Sequence, residues 1–207
     1  MNQKARSLFL LTLLIVSVVL ITSARAQDLY VGSNSTAAPV SYSSGSNGYG
    51  NIFVGYGSAA SNNVLSILKG GTILSNSNNL VVGAGGSGNT MTIFVGGNVL
   101  STGLSTIGSN AASSNNSVAV DGSGSLWSNG AALVVGAAGS GNNLRILDQA
   151  QVISTSGIIG SNAASSNNSV LVSDATWNNS GSLVVGNAGG GTLTVANTSE
   201  IATGADV

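Results

Sequence analysis

The side chains that come closest to a chemical constellation are two aspartates, Asp121 and Asp174, at nearly equivalent positions of two related segments. Paired carboxylates carry acid–base work in glycan-cleaving enzymes. If such segments stack as successive turns of one coil, two turns separate the pair by roughly 10 Å. An inverting pair tolerates about 6.5–9.5 Å, so the separation falls near the limit. No Lys, Arg or His stands beside either aspartate. They read as solvated turn residues. The chain has no His and no Cys at all, which removes Ser–His–Asp triads, thiol nucleophiles, zinc fingers and disulfide scaffolds.

The other motifs dissolve in the same way. The run Gly83-Ala84-Gly85-Gly86-Ser87-Gly88 fits the dinucleotide-binding glycine pattern, but strand-like residues follow where that motif needs a helix and a later acid. The same glycines suggest a calcium-binding repeat, yet Thr90 stands where an aspartate is required and no carboxylate lies nearby. Thr90/Thr92 and Thr192/Thr194 form Thr-x-Thr pairs too few for a flat ice-binding array. Trp127 and Trp177 could stack on sugars, but they recur because the segment recurs, and packing is the expected role. Tyr42, Tyr49 and Tyr56 gather in the N-terminal part as a potential adhesive patch. The expectation is therefore a non-enzyme with no catalytic, cofactor-binding or metal-ligating residue.

Composition explains why so little chemistry is present. Only 5% of the 207 residues are charged and 43% are apolar, against about 25% charged in ordinary domains. Val, Leu and Ile are regularly placed, which favours many short strands over disorder. Residues 1–26 read as a signal peptide: Lys4 and Arg6, an apolar run from Leu8 to Ile21, and Ala24-Arg25-Ala26 before a cut at Gln27. The apolar run is shorter than the roughly 20 residues a spanning helix needs. After cleavage two cations face six acids, a net charge of −4. Nucleic acid is excluded as a partner on that balance, and no membrane-spanning segment is expected in the mature chain. Export to the cell surface, outer membrane or medium follows.

Internal repetition dictates the fold. The string Ile107–Val118 recurs without change at Ile159–Val170, and Leu-Val-Val-Gly occurs at Leu80, Leu133 and Leu183. Both elements place a glycine after a Val or Ile, at Gly55, Gly83, Gly108, Gly136, Gly160 and Gly186, so units of 24–28 residues alternate between two types. Each unit holds three short apolar segments. Leu144 and Ile146 share one face while Arg145 points away. Asn pairs at 62–63, 115–116, 142–143 and 167–168 precede a strand, where stacked Asn side chains can bond from turn to turn. These features predict an all-β, right-handed parallel β-helix of about six turns over residues 53–207. Residues 27–52, with the only proline at Pro39, read as an irregular cap or an imperfect first turn.

The strings from Asn115 to Ile146 and from Asn167 to Val195 resemble the repeat shared by autotransporter passengers of type V secretion and PEP-CTERM-associated surface proteins. Trp127 and Trp177 match its Trp, and Leu133–Gly136 and Leu183–Gly186 match its glycine-ended strand. The resemblance covers residues 53–207. It implies a β-helical surface or secreted rod of structural or adhesive character, whose partners would be surface polysaccharide, a host or neighbouring cell, or further copies of itself. A glycan-binding or glycan-cleaving β-helix is the alternative. The chain carries neither a C-terminal translocator barrel pattern nor a Pro-Glu-Pro anchor. It stops at Val207 within a strand-like run, as a fragment of a longer protein would.

Overall fold

The computed structural model describes residues 26–204. The expected signal peptide lies outside these residues except for Ala26. The described chain is a parallel β-solenoid with no helix, built from three seven-stranded sheets. Each coil contributes one strand to sheet A, one to sheet B and one to sheet C. Coils one to seven occupy residues 29–49, 52–76, 80–101, 105–129, 133–154, 157–179 and 183–203.

There are thus seven coils where the repeat count predicts six, because residues 27–52 form a coil and not a cap. Leu29 pairs with Ile52, Val40 with Leu65 and Ser46 with Ile73 in parallel register. Pro39 sits just before the second strand of this coil, where no ladder donor is lost.

Sequence and register meet at the corner between sheets A and B. Every coil leaves sheet A through a glycine with positive φ, from Gly32 (+75°) to Gly186 (+73°). The glycine is required for two reasons. The left-handed φ disfavours a side chain, and a Cβ on Gly55 or Gly83 would overlap Asn89 or Asn116 of the following coil. Those asparagines form a buried five-member ladder of Asn63, Asn89, Asn116, Asn142 and Asn168. At each rung the backbone N–H and the Nδ2 of one Asn donate to the Oδ1 of the next, at 2.9–3.1 Å. Ala37 N–H closes the ladder at its lower end by donating to Asn63 Oδ1. In coil seven Gly191 stands opposite Asn168, and Asn168 Nδ2 has no partner among the described residues.

The core alternates with a two-coil period. Trp127 and Trp177 are fully buried, pointing inward from sheet C of coils four and six. In those same coils the facing end of the sheet A strand is small: Ser105 and Gly157. A Cβ on Gly157 would stand 2.8 Å from the Trp177 ring. Coils three and five reverse the sizes, with Leu80 and Leu133 on sheet A and Val99 and Val152 on sheet C. Each coil thereby fills a similar volume, as close packing demands. A second interior ladder follows the alternation, with Asn76, Ser101, Asn129, Ser154 and Asn179 in register.

One residue breaks the local pattern. At the corner between sheets B and C the left-handed position holds Gly122, Asp148, Asp174 and Asn197 in coils four to seven, but Val95 (φ +54°) in coil three. A β-branched residue is strained there, and Val95 is also 54% exposed. Val95→Asn is expected to raise stability by about 1 kcal/mol, read as an upward shift of the urea midpoint with an unchanged slope. No shift would mean that the corner relaxes around valine at no cost.

Candidate functional site

The predicted carboxylate pair is not brought together. Asp121 is in register with Leu147 and then Ser173, so Asp174 lies two coils away and one position further along. The Asp174 carboxylate accepts from Thr198 Oγ1 at 2.9 Å and from Asn197 Nδ2 at 3.0 Å. These bonds, the one from Thr198 first, hold its pKa below the ordinary aspartate value. It fastens coil seven to coil six. Asp121 instead meets Asp148, which holds in coil five the same corner position as Asp174 in coil six. Burial and then the Asp148 carboxylate push the Asp121 pKa upward, opposed by Arg145.

The sign of the linkage follows. A raised aspartate pKa in the folded state makes the charged form unfavourable at neutral pH. Asp121→Asn is therefore expected to stabilise the protein near pH 7. The gain should fade as pH falls through the raised folded value towards the ordinary aspartate range. Denaturation midpoints across pH 3–8 test this; a gain that grows on acidification would refute the assignment.

The remaining sequence candidates resolve into packing. Both tryptophans lie in the core, and Trp177 Nε1 donates to Ser154 Oγ at 3.0 Å. Gly85 and Gly86 press against the backbone of coil two, where a Cβ on Gly86 would overlap the Ala60 carbonyl. Thr90 and Thr92 share sheet B rows with Ser117 and Ala119, then Asn143 and Arg145, so no uniform threonine face exists. Arg145 is exposed, as its place between Leu144 and Ile146 requires. Among the described residues no group of three or more His, Cys, Asp or Glu side chains could hold a metal. No described helix is long and apolar enough to cross a membrane.

The tyrosines divide. Tyr42 and Tyr49 are partly buried and share a 2.6 Å hydrogen bond between their hydroxyls. Burial, then that bond, raises the Tyr42 pKa. Tyr56 instead joins Tyr30 and Phe53 on the outside of sheet A, where Tyr30 and Tyr56 are 46% and 48% exposed. This belongs to a wider asymmetry. Leaving aside Val185 and Val195 of coil seven, the exposed large apolar side chains are Tyr30, Tyr56, Leu68, Phe94, Val95, Leu100 and Leu104. All lie in coils one to three or in the turn that leaves coil three.

The architecture is that of a parallel β-solenoid repeat protein. Compared with known proteins, no family model, no curated protein and no solved structure matches the chain.

Proposed function

We propose that this chain is an exported, non-enzymatic surface rod of structural or adhesive type, of the kind its repeats resemble in autotransporter passengers and PEP-CTERM-associated proteins. The observation that carries the reading is the contrast between an asparagine ladder that runs through coils two to six and an outer surface that is nearly uncharged. Coils four to six present Ser, Asn, Thr and Ala outward, with no exposed large apolar side chain among the described residues. Such a surface meets polysaccharide, another cell or another copy through many weak polar contacts instead of one deep pocket. The carboxylates first considered as a pair, Asp121 and Asp174, lie two coils apart, and Asp174 is engaged by Thr198 and Asn197 of the next coil.

A glycan-binding role is the second reading, favoured by the exposed aromatic cluster of coils one and two. Protease treatment of intact producing cells, followed by immunoblotting against residues 53–207, tests the first. Loss of the band from intact cells is the expected result. A band that survives until the cells are lysed and fractionates with cytoplasm would sink the proposal. A surface band far heavier than this chain would place the repeats within a larger passenger.

A further inference from the structure

The aromatic cluster has a defined shape. The rings of Tyr30 and Phe53, paired in register across sheet A, stack with centroids 5.2 Å apart and 17° between planes. Tyr56, just past the Gly55 corner, stands at 84° to Tyr30 and 68° to Phe53, with centroids at 5.1 and 4.9 Å. The rings fix one another, so little side-chain freedom remains to be lost on binding. Beside them runs a polar cleft of about 760 Å³, lined by Gln27, Asp28, Gly50, Asn51, Ser77 and Asn78, with Ala26 at its edge. Asp28 joins the two parts. Its carboxylate accepts from Asn51 N–H at 2.7 Å, from Asn51 Nδ2 at 3.0 Å and from Tyr30 Oη at 3.4 Å.

We propose that the Tyr30–Phe53–Tyr56 cluster and the Asp28–Asn51–Asn78 cleft form one binding site for a neutral glycan. The inference rests on the adhesive reading above and names its ligand class. A sugar ring offers an apolar C–H face to an aromatic side chain and hydroxyls to carboxylate and carboxamide groups, which is the mixture this surface supplies. Asp28 is the only charged side chain among the residues lining the cleft, and no Lys or Arg side chain stands there to hold a sulfate, phosphate or uronate. A second copy of the chain needs roughly 800 Å² per partner for a stable interface, more than three side chains and a narrow cleft provide.

The test uses the secreted, processed chain with three neutral probes: cellohexaose, chitohexaose and maltohexaose. Saturation-transfer NMR and tyrosine fluorescence report binding, while the buried Trp127 and Trp177 should leave tryptophan emission unchanged. At least one probe is expected to bind. Tyr56→Ala and Tyr30→Ala should each weaken it about tenfold, and Phe94→Ala, at another corner, should not. Both tyrosines are half exposed, and matching thermal midpoints will verify that the variants fold. Binding that survives both tyrosine substitutions keeps a glycan ligand but removes this site. No binding of any probe by a chain that is displayed on cells overturns the site and leaves the adhesive reading standing. Loss of self-association in Tyr56→Ala, without change in oligosaccharide binding, would assign the cluster to contacts between copies.

Discussion

Asn116→Ala is expected to cost about 3 kcal/mol, because it orphans two buried donors in one step. Asn116 Oδ1 accepts both the backbone N–H and the Nδ2 of Asn89, and no water reaches a side chain that is fully buried. Its own Nδ2 is lost as well, which leaves Asn142 Oδ1 with a single donor, the backbone N–H at position 116. Serine, threonine or aspartate cannot restore both functions at that reach. Asn143→Ala is the control, since Asn143 points outward and accepts only from Ser117 Oγ. Urea unfolding of the two variants decides the matter. Equal and small losses would mean that the ladder is a by-product of the corner and not a determinant of it.

The second large effect concerns the core. Trp177→Val should lose about 3–5 kcal/mol through the cavity left behind, together with the bond to Ser154. Gly157→Leu alone should also be severe, because its first carbon already meets Trp177 and Leu183. Together they rebuild the Leu–Val combination of coils three and five, so the double variant should be far less damaged than the sum of its parts. The coupling energy from a double-mutant cycle measures this directly. Simple additivity would show that size is not exchanged across the coil.

Much of this was legible in the chain. Arg145 between Leu144 and Ile146 pointed outward, the glycine after each Leu-Val-Val took positive φ, and the repeat offset marked two kinds of coil. What was missed has physical causes. The sequence displays the ladder as Asn-Asn pairs, yet its rule is a left-handed residue followed by Asn. Gly88 and Gly141 serve in that first position as well as Asn62, Asn115 and Asn167 do. Asn89 therefore escapes a search for pairs, and of the pair 142–143 only Asn142 belongs to the ladder. Coil one reads from the sequence as either a cap or an imperfect turn, because it has no ladder asparagine and meets Asn63 through a backbone N–H instead. The aromatic cluster was only half visible, since Tyr56 is near Tyr42 and Tyr49 in sequence but joins Tyr30 and Phe53 through the pairing of adjacent coils.

The asparagine ladder also has a sense of direction. Every rung donates from the earlier coil to the later one, and the chain of amides is closed at its start by Ala37 and left with a spare donor at Asn168. Aligned amides polarise one another, so each new rung is received by a stronger donor than an isolated carboxamide would offer. The molecule is accordingly vectorial. A coil that has formed presents the waiting half of the next hydrogen bond, and assembly can proceed in the order in which the chain is made, each turn completing the one before it.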